Sequence, residues 1–137
     1  MGRTKIKLEF AVFGGLLDPK QFDDLIKLNS TEYWYKGDLI PEMNSRLTRK
    51  ETAWCYTTGF LETLDIEEIT SKFFEDFNDR VDFISDYLNK YKAEAKVYFV
   101  IETWNEESPA VYFDNKFLHL INEIKAEIDI DLYYIKD

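Results

Sequence analysis

Three times along this chain an aspartate stands where a helix must begin, and the stretches between are patterned as strands. Asp18 precedes Pro19, whose fixed φ and missing N–H suit the first helical position, and Gln21 stands where a capping-box partner belongs. Leu17 and Phe22 occupy the two hydrophobic-staple positions. The signal recurs at Asp65, with Glu68 as box partner and Leu64 with Ile69 as staple. It recurs again at Asp114, where Phe113 and Leu118 can staple and Phe117 replaces the box residue. Aspartate suits these places because its oxygen accepts orphan backbone N–H groups and its charge matches the positive helix end.

Between the helices, Ile6, Leu8, Phe10 and Val12 alternate with polar neighbours before the Gly14-Gly15 break, predicting a first strand. Residues 94–104 are apolar on both faces in the middle, as a central strand should be. Residues 110–113 read as a short strand that returns in a hairpin after the turn at 105–109. Ile130, Leu132 and Tyr134 alternate with Asp129 and Asp131 to close the chain. Residues 46–60 alternate less cleanly, with Trp54, Tyr56, Thr58 and Phe60 assigned to one face. Helical spacing runs over 66–91 through Phe73, Phe77, Val81, Ile84, Leu88 and Tyr91, with a break expected at Asn78-Asp79. This order predicts one α+β domain over 1–137. It is a two-layer sandwich with a mixed or mainly antiparallel sheet and helices on one face, ferredoxin-like or related.

Composition narrows the chemistry. His119 and Cys55 are the only residues of their types, so a nitrogen/sulfur metal site cannot be assembled in one chain, and no metal or cofactor is expected. A single cysteine allows no internal disulfide, which fits a reducing compartment. No apolar leader follows the basic opening stretch, and no run approaches a membrane span, so a cytoplasmic protein is expected. With 27 acidic and 17 basic side chains the formal charge is −10, which disfavours nucleic acid and anionic membranes and favours cationic partners.

Several short features together resemble the bacterial domain-of-unknown-function family 4279. They are the strand Phe10-Ala11-Val12-Phe13-Gly14 leading into Leu17-Asp18-Pro19, the run Trp34-Tyr35-Lys36-Gly37-Asp38, Arg49 ahead of Trp54, and the closing Ile128-Asp129-Ile130-Asp131-Leu132-Tyr133. The resemblance implies an α+β fold in a bacterial cytosol. It carries no catalytic or binding residues to transfer.

The candidate sites are weighed against plainer readings. Gly14-Gly15 before a helix fits no phosphate-binding spacing and is read as a turn. Cys55 points away from Trp54 and Tyr56 and is read as an inert buried thiol, its one available base being His119. Asp129 and Asp131 read as a solvated face. Two features rise above this background. Glu75, Asp79, Asp82 and Asp86, spaced four, three and four, would form a negative stripe on a continuous helix. Tyr33, Trp34 and Tyr35, followed by Lys36 and Asp38, would leave at least one ring near solvent. The expectation is therefore a non-enzymatic module that binds a basic protein, in one version an immunity-type inhibitor of a toxin. The stripe would steer the encounter and the aromatic rings anchor it. The alternative is a small-molecule-binding domain or enzyme with a pocket between sheet and helices, lined by Trp34, Trp54 and Trp104. Self-association is a third expectation.

Overall fold

A computed structural model describes residues 2–41 and 46–136. Six strands form one sheet: β1 (Lys5–Phe13), β2 (Glu32–Trp34), β3 (Ala53–Thr57), β4 (Leu61–Glu62), β5 (Glu94–Trp104) and β6 (Glu127–Ile135). Their order is β2-β3-β1-β5-β6, with β4 beside the start of β1. β6 runs parallel to β5, and the other pairs are antiparallel. The helices are α1 (Pro19–Ile26), α2 (Glu67–Phe77), α3 (Val81–Tyr91) and α4 (Asn115–Glu123). All four pack on one face, giving the expected α+β two-layer arrangement with a mixed sheet.

The core lies between the layers. Ile6, Leu8, Phe10 and Val12 of β1 share a face with Trp54 and Tyr56 of β3 and with Val97, Phe99 and Ile101 of β5. Helix residues Phe22, Phe73, Phe77, Ile84 and Phe117 close over them. Phe10 sits at the centre, its ring edge-on to Trp54, Phe73 and Phe77 at centroid distances of 6.0, 5.4 and 5.2 Å. Edge-to-face contacts of this kind add to the apolar burial.

Asp18 and Asp114 are the N-caps of α1 and α4, whereas α2 begins one residue later than expected, with Ile66 at its N-cap and Asp65 closing the turn before it. Asp18 Oδ1 accepts from the Lys20 N–H at 3.2 Å, Asp65 Oδ1 from Glu67 at 2.9 Å, and Asp114 Oδ1 from Phe117 at 2.9 Å. The box role assigned to Gln21 is relayed. The Tyr87 hydroxyl accepts the Asp18 N–H at 3.0 Å and pairs with Gln21 Oε1 at 3.0 Å, tying α1 to α3. Phe113 stacks on Phe117, 5.4 Å between centroids, while Leu118 stays exposed. The break between α2 and α3 falls where expected, as a 3-10 turn over Asn78–Arg80. Arg80 fastens it by donating to the carbonyls of Asp76, Ile26 and Lys27, so one cation serves the C-terminal ends of α1 and α2.

Two strand assignments are corrected. Residues 110–113 do not return beside β5, because both edges of β5 are filled, by β1 and β6. Ala110 instead makes an isolated parallel bridge with Asp65. The segment at 46–60 contributes only Ala53–Thr57 to the regular ladder before β4. Between the pairs Glu9–Thr57 and Ile6–Leu61, three steps on β1 meet four on the partner. That extra residue is a bulge, and Gly59 has φ +73° within it. The bulge turns Phe60 away from Trp54 and Tyr56 onto the opposite face, where the Lys5 and Lys7 ammonium groups sit 4.5 and 4.9 Å from its ring.

The glycine pair Gly14 and Gly15 forms a turn with φ of +78° and +57°. Gly15 packs against the Tyr91 and Lys92 carbonyls that end α3. Carbonyl oxygens are the wrong lining for a phosphate, in keeping with the turn reading. Among the described residues no helix is long and apolar enough to cross a membrane.

Candidate functional site

The face of the sheet away from the helices carries a trough. Strand register sets its contents in rows. Glu32, Cys55, Ala11, Lys96 and Glu127 lie across all five main strands, and the next row holds Trp34, Ala53, Phe13 and Glu94. Ala11, Ala53 and Cys55 are small, so the middle of the sheet is low while Trp34 and Tyr98 rise beside it. The hollow has a volume of about 570 Å³.

Segment 35–41 and 46–52 shapes the β2 end. Gly37 N–H donates to the Arg49 carbonyl at 2.9 Å and Arg49 N–H to the Asp38 carbonyl at 2.7 Å, which brings the Arg49 side chain back over the sheet edge. Its guanidinium lies 3.8 Å from the Trp34 ring centre and 3.9 Å from a Glu32 oxygen. The Arg49 Nε is buried with no acceptor among the described residues. The Trp34 Nε1–H donates to the Glu51 carbonyl at 3.0 Å, holding the ring upright.

Charge in the trough is unbalanced. Five carboxylates line it, of Glu9, Glu51, Glu94, Glu127 and Asp131, against the one ammonium of Lys96. That ammonium pairs with Asp129 at 3.4 Å, a bond that raises the Lys96 pKa, and lies 5.2 Å from the Tyr98 ring centre. Lys7 holds Glu9 at 3.0 Å. Among the described residues Glu51, Glu94, Glu127 and Asp131 have no ion pair. Such a surface favours a cation, which the carboxylates would hold, since Trp34 already carries the Arg49 guanidinium on its ring and Tyr98 the Lys96 ammonium.

Nucleophilic chemistry is unsupported. Burial, then the Glu32 and Glu9 charges, push the Cys55 thiol up to about 12, with Arg49 opposing. His119 sits on α4, on the other side of the sheet, exposed and 3.5 Å from Glu123. A Cys–His pair therefore does not form. Two results are expected for Cys55. Alkylation by iodoacetamide at pH 7 should be far slower than for a free thiol and should accelerate steeply at alkaline pH, because the thiolate is the nucleophile. The stability that Cys55 contributes by staying protonated should be complete below pH 9, the ordinary thiol value, and lost as pH rises towards 12. The buried hydroxyl of Tyr56, held to Asp76 at 2.7 Å, is shifted in the same direction and adds to that alkaline loss. Urea midpoints and alkylation rates across pH check both; rapid alkylation at pH 7 would mean that the thiol is exposed.

The residues singled out from the sequence divide between two sides. Trp34 enters the trough. Tyr33 and Tyr35, each 40 % exposed, point to the helix side of the edge strand, their rings 5.9 Å apart and Lys20 5.7 Å from Tyr33. Lys36 is exposed and donates its backbone N–H to Thr52 Oγ1 at 3.0 Å. Asp38 accepts the Tyr35 N–H at 2.8 Å and closes a turn through Gly37 at φ +93°. Glu75, Asp79, Asp82 and Asp86 are all exposed on the outer surface of the helix layer. The 3-10 turn interrupts their row, and they share no surface with Trp34. The three tryptophans named for an interior pocket do not converge, since Trp54 is buried under the helices while Trp34 and Trp104 belong to the opposite face. The rest of the trough escaped the sequence reading. Its signal was small residues at outward strand positions, which means nothing until the strands are paired.

Among the described residues no group of three or more His, Cys, Asp or Glu could hold a metal ion. The chain belongs to the family described as Domain of unknown function (DUF4279), whose model matches residues 4–135. No curated protein and no solved structure matches it.

Proposed function

We propose that this DUF4279 protein acts by binding, and that its open-face trough receives a cationic side chain from a basic partner protein. The observation that carries this reading is the set of carboxylates with no ion pair among the described residues, Glu51, Glu94, Glu127 and Asp131, beside the Trp34 and Tyr98 rings. One concrete form is an immunity-type inhibitor in a bacterial cytoplasm, covering the cationic active site of a toxin. The formal charge of −10 supports long-range attraction, to which Glu75, Asp79, Asp82 and Asp86 contribute from the other side of the molecule. The short-range part comes from the trough carboxylates, with the Trp34 ring, stacked on Arg49, as an apolar wall beside them.

The test uses two variants and a defined probe. Binding of an arginine-rich peptide is followed by NMR shifts of the Trp34 indole N–H, for wild type and for Glu94→Gln/Glu127→Gln/Asp131→Asn. Affinity is expected to fall by about threefold to a hundredfold, since each of the three lost carboxylates removes a few tenths to 1 kcal/mol. The fourfold exchange Glu75→Gln/Asp79→Asn/Asp82→Asn/Asp86→Asn should chiefly slow association, and the wild-type rate should fall as salt rises. Unchanged affinity in the trough variant would refute the assignment. A second reading rests on size, because a hollow of about 570 Å³ also suits a small organic cation. Tight binding of a free amine such as agmatine, with none of the peptide, would favour it.

A further inference from the structure

The two edges of the sheet are treated differently. The β2 edge is three residues long and joined to a loop through the Lys36–Thr52 and Trp34–Glu51 bonds. The β6 edge is nine residues long, and among the described residues its only strand partner is β5. It contains no proline and no bulge opposite β5. On its helix side Ile130, Leu132 and Tyr134 are 41, 60 and 64 % exposed, and on the open side Tyr133 is 53 % exposed. A long, regular, apolar edge is a template for another strand, and proteins that remain monomeric blunt such edges.

We infer that β6 pairs with β6 of a second copy, antiparallel about a two-fold axis normal to the sheet, in a register centred on Leu132. Symmetry and charge select this register. An axis normal to the sheet keeps both helix layers on one side and sets residues of the same face opposite each other. Centring on Asp131 places that carboxylate against itself, and centring on Ile130 places Asp129 against Asp131. Like charges directly opposite are destabilising. Centring on Leu132 avoids both. Leu132 then meets itself, Ile130 meets Tyr134, Asp131 meets Tyr133, and Asp129 meets Ile135, so Asp129 and Asp131 each face an uncharged partner and the apolar residues between 130 and 134 face one another, while Glu127 falls beyond this seven-residue ladder. Centres further along shorten the ladder. The contact is of the weak class for interface size, and the two acidic copies repel, so dimerisation should strengthen as salt rises. Asp131 belongs both to this edge and to the trough, so the test is placed at Leu132, on the helix side of β6 and outside the trough lining.

Because residue 132 meets itself on the axis, charge exchange at that position tests both the surface and the register. Sedimentation velocity would compare wild type, Leu132→Asp, Leu132→Lys and an equimolar mixture of the two variants. Wild type is expected to pass from monomer to dimer over the micromolar range, each variant to remain monomeric at tenfold higher concentration, and the mixture to form a one-to-one dimer. A monomeric wild type, variants that dimerise like wild type, or a mixture that stays monomeric would each overturn the proposal. If circular dichroism shows a variant misfolded, hydrogen exchange on wild type decides. Protection of the β6 amides should rise with protein concentration, and protection independent of concentration would overturn it.

Discussion

Gly15→Ala is expected to cost about 2–5 kcal/mol of stability, combining about 1–2 kcal/mol for a left-handed non-glycine residue with about 1–3 kcal/mol for overpacking. Gly15 has φ +57°, and an added Cβ would lie 2.3 Å from the Lys92 carbonyl oxygen and 2.4 Å from that of Tyr91. Both are backbone atoms. The Tyr91 carbonyl also accepts the Leu16 N–H at 2.8 Å, so retreat would break the link between the β1–α1 turn and the end of α3. Gly37 is the control. Its φ is +93° but an added Cβ would meet nothing within 4 Å. Gly37→Ala should therefore cost only the conformational part, about 1–2 kcal/mol. Urea unfolding midpoints of the two variants measure the difference, and equal shifts would show that the packing of Gly15 against α3 is not what matters.

Phe10→Ala is expected to cost about 3–5 kcal/mol, a large part of the about 5–15 kcal/mol that separates folded from unfolded domains. The ring is fully buried and touches groups from β3 and α2, so its loss leaves a hole that neither layer can fill alone. Phe60→Ala is the comparison. That ring is 40 % exposed on the open face, and its removal forfeits mainly the Lys5 and Lys7 contacts, at about 1 kcal/mol. Thermal and urea unfolding should rank the two far apart; a Phe10 variant as stable as the Phe60 variant would place the core's centre elsewhere. The same pair tests the bulge, because without it Phe60 would lie on the buried face and cost as much as Phe10.

Functional legibility was uneven for a physical reason. Trp34 was legible as a ring without a settled place in the core, and the structure sets it on a trough wall. Tyr33 and Tyr35, its neighbours, point the other way, as alternation on a strand requires. The acidic residues of α2 and α3 were legible as exposed, but not as lying across the molecule from Trp34. Asp131 was legible only as part of a solvated face with Asp129, and Glu94, Tyr98 and Glu127 carried no signal, since their meaning comes from being one strand apart in space while far apart along the chain.

What the amino-acid order determined by itself is local. The Asp18 and Asp114 caps, and the Asp65 turn just before α2, join a side-chain oxygen to an N–H two or three residues on, so their geometry is complete within one turn of chain. The break at Asn78–Arg80 and the buried set on β1 follow likewise from spacing. Tertiary structure decided which edges meet. Residues 110–113 lost β5 to β6, whose nine paired positions outbid a segment that contains Pro109 just before it and reaches only one bridge. The bulge that reverses Phe60 exists only against β1. Strand pairing is a competition among all available edges, settled by apolar faces buried at a distance, and no window of a few residues contains its outcome.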